Sequence, residues 1–192
     1  MLCKCCYDIK VQKNILFVGL QGSGKTHTMY QMVGGIPQLR TVHTPVMNNE
    51  VVKLKQHGIK FECWDPSGDP NYIQFWESVY KNVAFDIVIY VVDAQKYWKT
   101  DRAARIVEDR MELHTLLCAP ELANCRFILY LNWKTSHELG EERNMLEAIP
   151  EELELYRFPQ RDIITVDTYQ TLLDTLINIQ RQDEKAAEEA RK

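Results

Sequence analysis

"NILFVGLQGSGKT" (residues 14–26) decides the fold. An apolar run ends at Gly19, four residues intervene, and Gly24, Lys25 and Thr26 follow, which satisfies G-x-x-x-x-G-K-[ST]. The run predicts a strand over 14–19, and the residues after the loop predict a helix over about 25–33. In that setting the pattern has a mechanism. Backbone N–H groups of Gln21, Gly22, Ser23 and Gly24 wrap a chain of phosphates, and the helix N-terminus adds a favourable dipole. Lys25 reaches the β- and γ-phosphates, and the Thr26 hydroxyl ligates Mg²⁺.

Outward from this loop, short apolar runs alternate with helical stretches. Residues 50–55 and 59–65 predict a hairpin turning at "QHG", where Gly58 supplies a permissive backbone. "FDIVIYVVDA" (85–94) is a continuous β-branched run, as expected of a strand buried on both faces. "RFILYLN" (126–132) repeats that character, and "DIITVD" (162–167) does so more weakly. Between them, residues 100–118 have helical periodicity, with Ala103, Ile106, Val107, Leu113, Leu117 and Cys118 on one arc interrupted by Arg110 and His114. Leu172, Leu173, Leu176 and Ile177 make a further apolar face, and the charged end "RQDEKAAEEARK" (181–192) continues that helix into solvent. Strands alternating with helices imply an α/β fold, a mostly parallel sheet covered on both faces.

A phosphate loop needs a second element that senses the γ-phosphate and its metal. "WDPSGD" (64–69) ends a predicted strand and contains D-x-x-G. Asp65 is placed to hold Mg²⁺ through water, and the Gly68 N–H to meet the γ-phosphate. Here the chain resembles the Arf and Arf-like small GTPases, over about residues 13–179. "GLQGSGKT" is similar to that family's "GLDxAGKT", "WDPSGD" to "WDxGGQ", and "FDIVIYVVDAQ" to "xxIFVVDSxD". Trp76, eleven residues after Asp65, stands where the family has its own tryptophan. The resemblance implies the P-loop, Ras-like fold, with a six-stranded sheet that has one antiparallel strand and helices on both faces. It implies GTP or GDP with Mg²⁺ as ligands, and an effector or scaffold protein bound through the switch regions. Thr44 in "TVHTPV" would be the switch-one threonine that meets Mg²⁺, with Thr41 as the alternative. The small GTPase domain would span residues 13–180, between a Cys-containing extension (1–12) and a charged helical tail (181–192).

Three departures from the family pattern bear on activity. Its water-orienting glutamine falls at Asp69. An amide both donates to and accepts from an attacking water, whereas a carboxylate is shorter, acceptor-only and negative beside the γ-phosphate. Intrinsic hydrolysis is therefore expected to be weak or absent. The base-reading N-K-x-D appears as "NWKT" (132–135), so Asn132 is kept and Thr135 offers one neutral hydroxyl in place of a charged acceptor. Trp133 could stack on the base, and guanine is the expected one. The loop after the last strand, "VDTYQ" (166–170), matches poorly, leaving Asp167 and Thr168 open between a base contact and an ordinary strand end. Two readings follow: a GTP/GDP switch in membrane or ciliary trafficking or assembly, and a pseudo-GTPase serving as a subunit of a larger complex. A P-loop kinase would need an arginine-rich lid, and no such cluster is present.

Composition excludes other classes. With 192 residues, a net charge of −4 and a pI near 5.8, the chain is long enough for a full core and too acidic for general nucleic-acid binding. No apolar run reaches bilayer length and no secretory signal is visible, which suits a cytoplasmic monomer or hetero-complex subunit. Cys3, Cys5 and Cys6 lack a second Cys/His cluster, so they are read as a free tip or as acylation sites for peripheral membrane attachment. "HELGEE" (137–142) lacks the second histidine of a metalloprotease signature. His43, His57 and His114 are read as satisfied or solvated, and Glu141, Glu142, Glu151 and Glu152 as solvated helix faces. Tyr72, Phe75, Trp76 and Tyr80 are read either as an exposed effector patch or as packing against the sheet.

Overall fold

The computed structural model describes residues 11–34, 44, 46–54, 57–97, 102–133 and 142–191. In chain order the elements are β1 (Val11–Val18), α1 (Lys25–Val33), β2 (Met47–Leu54), β3 (Ile59–Pro66), α2 (Phe75–Asn82), β4 (Ile87–Asp93), α3 (Ala94–Tyr97), α4 (Arg102–Cys118), β5 (Arg126–Asn132), α5 (Glu142–Glu152), β6 (Ile163–Val166) and α6 (Tyr169–Glu189). The sheet runs β2-β3-β1-β4-β5-β6, with β2 antiparallel to β3 and the other neighbours parallel. This is the expected α/β P-loop architecture.

The central strands are apolar on both faces because helices cover both. On β4, Val88, Tyr90 and Val92 face a cluster shared with Trp76 and Tyr80 of α2, Leu113, Leu116 and Leu117 of α4, and Leu146 and Ile149 of α5. Ile87, Ile89 and Val91 face the opposite cluster, built with Met29 and Met32 of α1 and Leu172, Leu176 and Ile179 of α6. The period-two split is what a doubly covered strand requires.

Two strands begin earlier than their apolar runs. β1 starts at Val11 because its polar residues pair across to β3: Gln12 Nε2 donates to Glu62 Oε2 at 2.8 Å, and Lys60 Nζ donates to Gln12 Oε1 at 3.0 Å. β2 starts at Met47 because it is a sheet edge, where Asn48 and Asn49 are tolerated. The hairpin closes with Leu54 opposite Ile59, and Gly58 takes φ +68°. α6 continues through Glu189, its last two turns exposed.

The apolar arc expected on α4 is corrected. Its buried side chains are Asp109, Leu113, Leu116 and Leu117, while Ala103, Val107 and Cys118 are exposed. The helix is rotated because Asp109 is a core residue. Its carboxylate accepts from Tyr90 Oη and Tyr97 Oη, each at 2.9 Å, and lies 3.4 Å from Arg105 Nε. Burial raises this carboxyl to about 6, against the pull of Arg105 and the two tyrosines. Glu152 is likewise not a simply solvated residue, since it is half-buried and pairs with Arg102 of α4. Glu151 is exposed, as expected. The half-buried His114 is satisfied by the Leu153 carbonyl at 2.8 Å. Cys3, Cys5, Cys6, Thr41, His43 and Glu141 lie outside the described residues, as does the "HELGEE" stretch apart from Glu142, which opens α5.

Candidate functional site

The loop between β1 and α1 is shaped by glycine. Gly19 has φ +137°, and a Cβ there would lie 2.3 Å from the Val91 carbonyl oxygen, so any other residue would push β1 away from β4. Gly24 caps α1 in the left-handed region with no side-chain hydrogen bond to the first turn. The first-turn N–H groups are therefore not side-chain capped and, with the dipole, form an anion site. Two distant side chains hold the loop in shape. Asn132 Nδ2, at the end of β5, donates to the Ser23 carbonyl at 2.7 Å. One guanidinium nitrogen of Arg105, on α4, donates to the Gln21 carbonyl at 3.2 Å.

Lys25 is buried beneath this loop, its ammonium donating to the Leu20 carbonyl at 3.4 Å. Burial lowers it to about 8, partly offset by the Asp65 carboxylate. A buried cation that burial pushes toward neutrality gains most from an anion brought beside it.

Thr26, Thr44 and Asp65, predicted from three separate segments, converge. Thr26 Oγ1 lies 2.6 Å from Asp65 Oδ2, to which it donates, and 2.9 Å from Thr44 Oγ1. Asn48 Nδ2 donates to the same Asp65 oxygen at 3.3 Å. Asp65 is fully buried, its carboxyl raised by that burial against Lys25 and the hydrogen bonds, and its Oδ1 has no hydrogen-bond partner among the described residues. A buried carboxylate oxygen left over beside two hydroxyls is a hard-oxygen donor set that fits Mg²⁺. Among the described residues no three His, Cys, Asp or Glu side chains converge, which leaves no alternative metal cluster there.

Gly68 sits on top of the loop. A Cβ there would lie 2.3 Å from the Gly19 carbonyl oxygen and 2.6 Å from Lys25 Nζ. Ser67, just before it, is fastened from both sides: its N–H donates to the Val46 carbonyl at 2.8 Å, and its carbonyl accepts from Trp76 Nε1 at 2.8 Å. Trp76 and Tyr80 are thus packing residues, whereas Tyr72 and Phe75 are 38% and 48% exposed and lie ring against ring at 6.1 Å. Asp69 turns into its own loop, Oδ1 accepting from both Asn71 N and Asn71 Nδ2 at 2.9 Å. Its Oδ2 accepts from Gln21 Nε2 at 3.4 Å.

At the end of β5, Asn132 is occupied with the loop between β1 and α1, and Trp133 is half-buried against the apolar cluster on the α4 side of the sheet. Thr135 lies outside the described residues. Thr168 is the N-cap of α6, its hydroxyl accepting from Thr171 N at 3.0 Å, which accounts for its position by an ordinary helix start. Asp167 is half-buried beside it.

Sequence reading missed Asn48 and Arg105. Asn48 was legible in principle, because the Leu54–Ile59 hairpin closure places it directly across from Asp65. Arg105 lies 84 positions from Gln21, and its contact depends on α4 being rotated to bury Asp109.

Comparisons with known proteins agree with this geometry. The model of the ADP-ribosylation factor family matches residues 3–180. ADP-ribosylation factor-like protein 1 of Caenorhabditis elegans is 37% identical over 112 residues, 58% of this chain, and the chain spans 56% of that relative's length. The structure of the Arl6 BBS3 small GTPase from Trypanosoma brucei, with its bound nucleotide analogue GppNp, is similar in fold. The TM-score is 0.65 at 18% identity, covering 88% of this chain and 99% of that one. A family match across nearly the whole length, on a sheet whose loop, β3 end and β5 end meet at one site, has one meaning: the chain belongs to the ADP-ribosylation factor family.

Proposed function

We propose that the protein is an Arf-like GTP/GDP switch with weak intrinsic hydrolysis, acting in membrane or ciliary trafficking or in assembly. The observation that carries this reading is the convergence of Thr26, Thr44 and Asp65, with Gly68 close over Gly19 and Lys25 of the same loop, since all four come from segments that a γ-phosphate and its metal would order together. Backbone N–H groups of residues 21–24 and the Lys25 ammonium would bind the phosphates, and Thr26, Thr44 and, through water, Asp65 would hold Mg²⁺. When bound, that ion neutralises charge on the β- and γ-oxygens. Asn132, Trp133 and Thr135 would border a guanine. Tyr72 and Phe75 would present the ordered state to an effector, and the cysteines near the N-terminus, if acylated, would give peripheral membrane attachment strengthened by a second signal.

A second reading, a pseudo-GTPase subunit holding nucleotide permanently or holding none, is favoured by one observation: both carboxylate oxygens of Asp69 are committed to neighbouring side chains or backbone. Single-turnover hydrolysis with γ-labelled GTP separates the two. Measurable turnover that a cell extract accelerates supports the switch. Retention of GTP for hours without phosphate release, with or without extract, supports the scaffold.

A further inference from the structure

We infer that Gln21 supplies the water-orienting amide for GTP hydrolysis, with Asp69 holding it in place; this rests on the nucleotide-binding reading above. In the pattern the chain resembles, the loop carries Asp where this chain has Gln21, and the D-x-x-G segment ends in Gln where this chain has Asp69. The amide and the carboxylate have changed places. The exchange adds one methylene at position 21 and removes one at 69, so the summed reach of the pair is unchanged.

The fold puts the two exchanged residues in contact. Gln21 Nε2 donates to Asp69 Oδ2 at 3.4 Å across 48 residues of chain. Asp69 cannot do the amide's work itself. It is negative, so it repels the charge of a γ-phosphate, and both its oxygens are engaged, Oδ1 by Asn71 and Oδ2 by Gln21. Its backbone is also fixed, the N–H donating to Ser67 Oγ at 3.3 Å. Gln21 is held as firmly from the other side, through its own carbonyl and Arg105. A carboxamide anchored by its nitrogen to a fixed carboxylate has its acceptor oxygen directed, which is the pre-organisation that positioning a water demands. Gly68, against Gly19 and Lys25, brings the 67–69 turn to the same end of the loop.

The reaction is ordinary hydrolysis. A water oxygen bonds to the γ-phosphorus, and the bond from that phosphorus to the β–γ bridging oxygen breaks. The electron pair leaves with GDP, and the water's protons end on inorganic phosphate. Gln21 accepts a hydrogen bond from the attacking water through its carbonyl oxygen and carries no proton away.

The test uses the full chain loaded with γ-labelled GTP, alongside Gln21→Ala, Gln21→Glu and the transposed pair Gln21→Asp with Asp69→Gln. Two quantities are read: the single-turnover rate, and the ratio of affinities for GDP–aluminium fluoride and for GDP. Loss of tenfold or more in both on removing the amide, by either Ala or Glu, with recovery of both in the transposed pair, is the expected result. Gln21→Glu keeps the side-chain length, so a folding defect in the Ala variant does not decide the matter. Rate and ratio in Gln21→Ala equal to the parent's would overturn the inference, as would a GTP-loaded parent no faster than free GTP. If the parent retains neither GTP nor GDP, the nucleotide-binding reading fails first and this inference with it.

Discussion

Thr26 Oγ1 donates to Asp65 Oδ2 at 2.6 Å, joining the first turn of α1 to the C-terminal end of β3. A short bond to a fully buried carboxylate aims both groups at one point, and the adjacent Asp65 Oδ1 has no hydrogen-bond partner among the described residues. Thr26→Ala removes the hydroxyl proposed to hold the metal and one charged hydrogen bond. It should weaken GTP binding by about 10- to 100-fold in Mg²⁺, about 1.5–3 kcal/mol. Titration with a fluorescent GTP analogue, with and without EDTA, checks this: the variant and parent should differ in Mg²⁺ and converge in EDTA.

Gly68→Ala tests the closeness of the 67–69 turn to the loop. Gly68 does not have a positive φ, so the cost comes from space alone, with the Gly19 oxygen 2.3 Å from the new methyl. Relieving the clash lifts the turn off the loop at about 1–3 kcal/mol. The measurable consequence is a fall in the preference for GTP over GDP, with circular dichroism retained.

Trp76→Phe tests what holds that turn from below. The indole N–H to the Ser67 carbonyl is a buried bond, so its loss leaves an unpaired carbonyl and should cost about 1–3 kcal/mol in urea unfolding. Tyr72→Ala, at an exposed ring, should shift stability by less than about 0.5 kcal/mol.

Asp109 gives a pH signature with a definite sign. Its carboxyl is raised from 3.8 to about 6 by burial, so the folded state binds this proton more tightly than the unfolded chain. That contribution is fully present below about pH 4 and is lost as pH rises through about 6. Its ceiling is about 3 kcal/mol. Relative to Asp109→Asn, which does not titrate, the parent should therefore gain stability as pH falls from 7.5 to 5. Urea midpoints at three pH values check this, and a constant difference between the two proteins counts against it.

Local rules made much of this molecule readable. α1 runs from Lys25 to Val33, as its flanking Gly24 and Gly34 dictate, and β4 falls within a run rich in β-branched residues. Thr26 and Asp65 stand out in the sequence by motif and spacing, and Thr44 by the family resemblance with Thr41 as its alternative; the fold brings Thr26, Thr44 and Asp65 together. What stayed hidden depends on contacts between distant segments. Asp109 looks like a solvent residue until Tyr90 and Tyr97 are seen to satisfy it, and misplacing it rotates the whole of α4. Phe75 and Trp76 are equally apolar neighbours, but only the indole has an N–H for the Ser67 carbonyl, and that bond selects which ring goes inside. The Gln21–Asp69 contact was written in the exchange of two letters between two motifs, and its meaning emerged only when the fold brought them together.

Nucleotide occupancy of the purified protein tests the central proposition, that the loop of residues 19–26 encloses a guanine nucleotide's phosphates. Denaturing the protein and identifying released nucleotide by mass spectrometry, before and after incubation with millimolar Mg·GTP or Mg·ATP, should give close to one GDP or GTP per chain. Lys25→Ala should abolish it. A parent protein that emerges empty and stays empty in both nucleotides would contradict the proposition and leave only the inherited fold.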